Sequence, residues 1–134
     1  GKGITLKESA DDVATVIASG IMVDEALKAY EMLEAEGIKV RVIDMFTWKP
    51  IDEELIVKSA KETGAIVTAE NHNCTCGLGS AVARVLSAKC PTPVEMVGVH
   101  DQFGQVGAQS FLQEAYKLTA EEIVANVKKV IARK

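Results

Sequence analysis

The sequence predicts an α/β domain in which a mostly parallel sheet is covered by helices on both faces. Short apolar runs of strand length alternate along the chain with longer stretches whose apolar residues recur at helical spacing. Strands that alternate with helices form parallel sheets joined by right-handed crossovers. With 48% hydrophobic and 25% charged residues, the composition is that of an ordinary globular protein.

The first half of the chain contains three predicted strands. Residues 3–8 alternate apolar and polar side chains, which is typical of a strand with one wet face, and residues 13–18 form a near-continuous apolar strand. No helix separates these two strands, so we expect the first to run antiparallel to the rest. A helix with an apolar stripe follows from residue 23 and stops at Gly37, and residues 39–45 form the next strand.

Capping signals mark the helices of the second half. Asp52 is placed to cap a helix that ends at Gly64, with Ile51 and Ile56 as a hydrophobic staple. Strands are predicted at 64–69 and 94–99, with a helix from Ser80 between them. Two capping boxes then predict a short helix and a terminal helix; they pair Ser110 with Gln113 and Thr119 with Glu122.

Length and charge exclude several classes of protein. A chain of 134 residues is one domain by the usual length prior, and a net charge of -4 argues against a nucleic-acid or anionic-membrane partner. No apolar run reaches the roughly 20 residues that cross a bilayer, and no signal peptide is recognisable. Three cysteines suggest a reducing compartment, so we expect a cytoplasmic location. Residues 1–3 are interpreted as a linker remnant.

The polar stretch after the strand at 64–69 is the first candidate for chemistry. It contains Glu70, His72, Cys74 and Cys76 at the carboxyl end of a predicted strand, where open α/β sheets meet their ligands. A Cys-x-Cys spacing points its thiols apart and fits neither the usual zinc ligand pairs nor the thioredoxin-like redox motif. We therefore expect no metal and no redox role here.

Two other functions remain open for this stretch. Gly77-Leu78-Gly79-Ser80 before a helix could bind an anion on backbone N–H groups, although the same glycines also permit a tight turn. Glu70 and His72 could act as acid and base, or as a hydrogen-bonded pair facing a neighbouring domain, and the second reading is favoured because no nucleophile accompanies them. Phe103, if exposed, would indicate a docking site.

Several stretches in this order resemble the C-terminal domain of transketolase, particularly the C-terminal section of the split bacterial enzyme. They run over nearly the whole length and are Ala18-Ser19-Gly20-Ile21-Met22-Val23, Lys49-Pro50-Ile51-Asp52, Glu70-x-His72, Gly77-Leu78-Gly79-Ser80-Ala81-Val82, Gly98-x-x-Asp101-x-Phe103-Gly104-x-x-Gly107 and Leu118-Thr119-Ala120-Glu121. Related domains close 1-deoxyxylulose-5-phosphate synthase and the β subunits of 2-oxo-acid dehydrogenases.

The resemblance implies a fold, an activity and partners. It implies a three-layer α/β/α domain, spanning residues 1–134, with a five-stranded mixed sheet whose first strand is antiparallel. The parent enzyme would transfer two-carbon ketol units between sugar phosphates with thiamine diphosphate and Mg, in the pentose phosphate pathway and as a homodimer. The cofactor lies between the other domains of the family, so this chain is expected to bind none, to be inactive alone, and to contact those domains or that subunit.

No catalytic, cofactor or metal residue is carried over from the resemblance. The interdomain, interface or anion-binding candidates that it implies are Gly20, Glu70, His72, Gly77, Gly79, Ser80, Asp101, Phe103 and Gly104. The chain departs from the family at Cys76, where glycine is common, at His100, where proline is frequent, and at Val106, where serine is common. The alternatives are a C-terminal domain of one of the related enzymes, or a free-standing anion- or nucleotide-binding module.

Overall fold

Strands and helices alternate along the chain as the sequence predicts. The structure, a computed structural model, describes residues 2–46, 50–73, 77–99 and 118–134. The elements in these ranges are β1 (Ile4–Lys7), β2 (Ala14–Ala18), α1 (Met22–Ala35), β3 (Val40–Asp44), α2 (Glu53–Thr63), β4 (Ile66–Asn73), α3 (Leu78–Lys89), β5 (Val94–Val99) and α4 (Ala120–Ile131). Within these ranges, no helix is long and apolar enough to cross a membrane.

The strands form one five-stranded sheet in the order β1-β3-β2-β4-β5. β1 pairs antiparallel with β3, and the β2–β3, β2–β4 and β4–β5 pairs are all parallel. The predicted fold class is therefore confirmed, including the reversed first strand. The chain passes from β2 to β3 on one side and then returns to β4 on the other, so the direction of winding switches between β2 and β4.

Two apolar cores lie on opposite faces of the sheet. Successive side chains of a strand point to opposite faces, and β2 shows this: Val16 and Ala18 join the core beneath α1 and α4, while Ile17 joins the core beneath α2 and α3. All three side chains are completely buried. The sheet is therefore covered on both faces, which makes the domain a three-layer α/β/α sandwich.

Local capping signals position two helices as predicted. The Asp52 carboxylate accepts a hydrogen bond from the Leu55 N–H at 3.2 Å, and Gly64 ends α2 in the left-handed conformation with φ of +76°. Thr119 accepts the Glu122 N–H at 3.3 Å at the start of α4. Each cap satisfies an N–H group that has no partner inside its own helix. The predicted Ser110 cap lies outside the described residues.

The start of α4 has a second acceptor from a distant part of the chain. The Glu25 carboxylate on α1 accepts the Ala120 N–H at 3.1 Å, and Lys28 pairs with the same carboxylate at 3.0 Å. The two helices that cover one face of the sheet are thus joined end to side by a hydrogen bond between residues 95 positions apart.

β4 is longer than predicted. The sequence places the end of this strand at Ala69 because polar residues follow, but the strand continues through Glu70 and His72 to Asn73. Pairing with β5 also continues, with Asn73 opposite Val99 after an irregularity in the register. The polar stretch is thus partly strand rather than loop. Pairing with the neighbouring strand β5 outweighs the preference of polar residues for loops.

Candidate functional site

The carboxyl ends of the parallel strands form the candidate site. In doubly wound sheets the crevice at the switch in winding direction is where ligands bind. Here that crevice lies between β2 and β4, since β3 and β5 lie on their outer sides. Ser19 and Gly20 follow β2, and Glu70 lies in the last part of β4. Three of the predicted site residues, Gly20, Glu70 and Gly79, are therefore placed around one edge of the sheet.

Glu70 is completely buried and binds the start of α3. One carboxylate oxygen accepts the Leu78 N–H at 2.8 Å and the other accepts the Gly79 N–H at 2.6 Å. These N–H groups belong to the first residues of the helix, which have no intrahelical acceptor. A carboxylate at this end also opposes the positive end of the helix dipole. Glu70 is therefore the N-terminal cap of α3, supplied by the preceding strand.

Gly79 is required by close packing between α3 and the sheet. A Cβ atom at this position would lie 2.8 Å from the Met96 sulfur and 3.1 Å from the Thr68 hydroxyl oxygen. Contacts this short force the neighbours to move. The absence of a side chain lets the first turn of α3 approach β4 closely enough for its N–H groups to reach Glu70. The predicted close helix-to-strand packing is thus observed at Gly79, which lies in the first turn of α3.

Gly20 is required by backbone conformation at the other side of the crevice. Its φ of +60° lies in the left-handed region, which residues with a Cβ atom rarely adopt. A Cβ atom there would also lie 3.4 Å from the side-chain oxygen of Asn71. The N–H groups of Met22 and Val23 donate to the Ser19 and Gly20 carbonyl oxygens at 3.2 Å, and the N-cap residue Ile21 makes no side-chain capping bond. Gly20 therefore shapes the turn that starts α1.

The remaining predicted residues divide between described and undescribed parts of the chain. Gly77 precedes α3 and is buried, and Ser80 lies half-buried in its first turn. The backbone of His72 belongs to β4, but its side chain lies outside the description, so its pairing with Glu70 stays a prediction. Cys74, Cys76, His100, Asp101, Phe103, Gly104 and Val106 also lie outside the described residues.

Exposed apolar side chains lie at the same edge, near β1 and β3. Ile4 is 50% exposed, Ile21 37% and Phe46 57%. Asp44 lies opposite Ile4, and burial raises the pKa of its carboxyl above the ordinary value of 3.8. Sequence reasoning did not single out these residues as a surface. The sequence does contain a signal for this exposure. Phe46 follows β3 closely, and the neighbouring strand β1 alternates apolar and polar side chains, as a strand with one solvent-exposed face does.

The described residues do not fit a thiamine diphosphate or magnesium site. Among them, no group of three or more His, Cys, Asp or Glu side chains is arranged to hold a metal ion. The α3 N-terminus could otherwise attract a diphosphate. Its first two N–H groups instead bind the Glu70 carboxylate, whose charge would repel a diphosphate. No step of a cofactor reaction follows from this part of the chain.

Comparison with known proteins places this doubly wound α/β domain in a family. The family model described as "Transketolase, C-terminal domain" matches residues 1–123. The chain therefore belongs to the transketolase C-terminal domain family. It is 48% identical over 134 residues to the 6-deoxy-6-sulfo-D-fructose transketolase subunit of Clostridium sp. strain MSTE9, covering 100% of this chain and 41% of that protein.

Further relatives show both a close structure and a second enzyme. A solved structure described as "Split gene transketolase, inactive beta4 tetramer" superposes with a TM-score of 0.92. It is 53% identical, and the match covers 98% of this chain and 42% of that one. The 1-deoxy-D-xylulose-5-phosphate synthase of Heliobacterium modesticaldum is 41% identical over 124 residues, which is 92% of this chain and 19% of that protein. The chain thus spans between 19% and 42% of the length of these relatives.

Proposed function

We propose that the chain is the structural, interface-forming C-terminal domain of a transketolase-type enzyme and has no activity alone. The whole enzyme transfers two-carbon ketol units between sugar phosphates, using thiamine diphosphate and Mg held by its other domains. The observation that carries this proposal is the family match over residues 1–123, supported by the 48% identical transketolase subunit. The proposal extends to a cytoplasmic, homodimeric whole enzyme.

The geometry of Glu70 supports a structural role for the predicted acid–base residue. A general acid or base must come within hydrogen-bond reach of its substrate. Glu70 is completely buried, and each of its oxygens already accepts a backbone N–H. Its carboxylate therefore stabilises the junction between β4 and α3 rather than facing a substrate in the crevice.

A reconstitution assay tests the proposal. The pure chain, supplied with thiamine diphosphate, magnesium and pentose phosphates, is expected to give no ketol transfer. Adding the remaining section of the enzyme as a separate polypeptide is expected to give turnover, while that section alone gives less. Turnover by the pure chain, at a rate that scales with its concentration, would contradict the structural role.

The choice between relatives is made with substrates. The same reconstituted enzyme is offered pentose phosphates, 6-deoxy-6-sulfo-D-fructose, or the precursors of 1-deoxy-D-xylulose 5-phosphate. The transketolase proposal expects ketol transfer from one of the first two. Formation of 1-deoxy-D-xylulose 5-phosphate alone would instead assign the chain to a 1-deoxy-D-xylulose-5-phosphate synthase. The Heliobacterium modesticaldum synthase is 41% identical to the chain over 124 residues.

The free-standing anion-binding alternative is disfavoured by the same carboxylate. An anion at the start of α3 would have to displace Glu70 from the Leu78 and Gly79 N–H groups. Calorimetry with phosphate, sugar phosphates and nucleotides is therefore expected to show no binding tighter than millimolar. Micromolar binding of any of these ligands would favour the alternative.

A further inference from the structure

A groove opens at the amino edge of the sheet, at the end opposite the candidate site. Its volume is about 640 Å³, which is in the range of small-molecule sites, and it lies where α1 and α4 end. We call it the amino-edge groove, and it is lined by Asp11, Val13, Gly37, Ile38, Lys39, Lys128, Ile131 and Lys134. The candidate site contains none of these residues, so a ligand in the groove would leave the crevice between β2 and β4 untouched.

The floor of the amino-edge groove is aliphatic. Val13, Ile38 and Ile131 are all half-buried, and the two isoleucines pack against the core beneath α1 and α4. The groove is open above Gly37, since a Cβ atom at this position would meet no atom within 4 Å. Partly exposed aliphatic side chains gain free energy when an apolar group covers them. The floor therefore suits the carbon chain of a ligand.

The rim of the groove has more positive than negative charge. Three of its residues are Lys39, Lys128 and Lys134, and Asp11 is the one carboxylate among the described residues that line it. Lys128 pairs with Glu36, just outside the lining, at 2.8 Å. Three ammonium groups against two carboxylates leave one positive charge, in a protein whose net charge is -4. A local surplus of this sign attracts anions, and its size matches a monoanion.

Two of the lysines have donors that the fold does not use. Within the described ranges, the exposed ammonium group of Lys39 makes no hydrogen bond or ion pair. The Lys134 ammonium group donates to the Val13 carbonyl at 3.1 Å and to the Thr63 carbonyl at 2.9 Å. An ammonium group has three donors. Lys134 is therefore held at the groove by two hydrogen bonds and keeps one donor for a ligand.

We propose that the amino-edge groove binds a small amphiphilic anion, an aliphatic monocarboxylate. Its carbon chain lies on Val13, Ile38 and Ile131, and this contact supplies most of the affinity because buried aliphatic area is favourable. Its carboxylate accepts hydrogen bonds from Lys39 and Lys134, which selects an anion over a neutral molecule of the same length. Binding of this kind does not depend on which enzyme the domain belongs to.

Titration of the isotope-labelled chain, followed by amide chemical shifts, tests the site. The probes are octanoate, acetate and 1-octanol, which separate the contribution of the carbon chain from that of the charge. Octanoate is expected to shift the amide signals of Gly37, Ile38 and Ile131. Its Kd is expected to be at least ten-fold below that of acetate, because each buried methylene group contributes about four-fold. The Kd of 1-octanol is expected to be about two- to five-fold above that of octanoate, the effect of an exposed ion pair.

Lys39→Gln removes the ammonium group that has no partner. It is expected to weaken octanoate binding by about two- to five-fold, to leave 1-octanol binding unchanged, and to be rescued by Lys39→Arg. Lys58→Gln is the matched control, since Lys58 is an exposed lysine on α2, at the other face of the sheet. Its octanoate binding is expected to equal that of the wild type. All three variants are expected to keep the urea midpoint of the wild type, because the replaced side chains are exposed.

Several results would overturn the proposal. Acetate binding as tightly as octanoate would show that the aliphatic floor is not used, and 1-octanol binding as tightly would show that the lysines are not used. Equal weakening by Lys39→Gln and Lys58→Gln would reveal a general effect of protein charge. Shifts at Gly20 and Gly79 alone would place the ligand at the candidate site. Shifts of the groove amides on concentrating the chain without ligand would assign the groove to a second copy.

Discussion

The two halves of the sheet's carboxyl edge differ in how far their side chains are buried. Where β4 meets α3, a carboxylate is completely buried and both of its oxygens are bonded within the domain. Where β1 begins and β3 ends, the apolar side chains of Ile4 and Phe46 are 50% and 57% exposed. The first half is internally complete, whereas the second half has apolar surface that would gain free energy if it were covered.

This difference shows why chemically reactive residue types are a poor guide to function here. Glu70 has the functional group that an active site would use, but its hydrogen bonds serve the fold. Ile4 and Phe46 have no reactive group, but they are among the large apolar side chains that the domain leaves exposed. Stability is therefore expected to depend on the β4–α3 half.

The largest effect is expected for Glu70→Gln. The amide keeps the shape of the side chain but places an NH2 group against one of the two backbone N–H groups of Leu78 and Gly79. That N–H group loses its acceptor, and the other N–H group donates to a neutral oxygen instead of a charged one. Hydrogen bonds to charged groups contribute about 1.5–3 kcal/mol each, so we expect the free energy of unfolding to fall by about 2–4 kcal/mol in urea titrations followed by circular dichroism.

Glu121→Gln is the matched control, since Glu121 is an exposed carboxylate in the first turn of α4. Its change is expected to stay within about 0.5 kcal/mol. Equal effects of the two substitutions would mean that the buried cap contributes no more than an exposed charge near a helix start.

A smaller loss is expected for Gly79→Ala. The new Cβ would lie 2.8 Å from the Met96 sulfur and 3.1 Å from the Thr68 hydroxyl oxygen. Overpacking of this kind costs about 1–3 kcal/mol, and we expect the lower part of this range because the methionine side chain can move. The measurement is the urea midpoint, together with amide hydrogen exchange at Leu78 and Gly79.

Gly37→Ala separates crowding from backbone strain. Gly37 has a φ of +78° and no atom within 4 Å of the position of a Cβ. Its substitution is expected to cost about 1 kcal/mol through backbone conformation alone, without faster exchange at the start of α3. Faster exchange at Leu78 in both variants would show that the Gly79 effect is not local.

The smallest effect is expected for Asp44→Asn, and it has the opposite sign. Burial raises the pKa of Asp44 in the folded state above its ordinary 3.8, so the folded state holds the proton more tightly than the unfolded one. Asp44 therefore destabilises the fold increasingly as pH rises from below 3.8 through the folded pKa. Asn cannot ionise, so at pH 7 the variant is expected to be slightly more stable than the wild type, by no more than about 0.5 kcal/mol.

The pH dependence provides the check on Asp44→Asn. The stability difference, measured by urea titration at several pH values, is expected to shrink towards zero as pH falls below the ordinary pKa. A variant less stable than the wild type at pH 7 would mean that the ionised carboxylate has a stabilising partner.

Much of the fold could be predicted because its signals are local. Hydrophobic periodicity located the strands and helices, and Asp52 and Thr119 cap the helices that begin directly after them. The Glu70 cap could not be found in this way. It lies eight residues before Leu78, and its polar neighbours indicate a loop until the pairing of β4 is known. The order of the strands likewise depends on contacts between distant segments.

The interdomain or anion-binding role that the sequence suggested for the candidate residues stays a prediction. The carboxyl edge, Gly20 and Gly79 were anticipated, and the structure gives each glycine a reason in backbone angle or close packing. The exposed side chains of Ile4 and Phe46 were not singled out, because exposure depends on tertiary packing that the local sequence pattern does not contain. Phe103, the aromatic residue that the sequence suggested for docking, lies outside the described residues, and its role stays a prediction.

The hydrogen bond from Ala120 to Glu25 has a consequence for the lifetime of the folded state. Contacts between residues 95 positions apart close a long loop, and their entropic cost favours formation late in folding. Interactions absent from the transition state slow unfolding without accelerating folding. The hydrogen bond between α1 and α4 is therefore expected to act on the unfolding rate, and so on how long the folded domain persists.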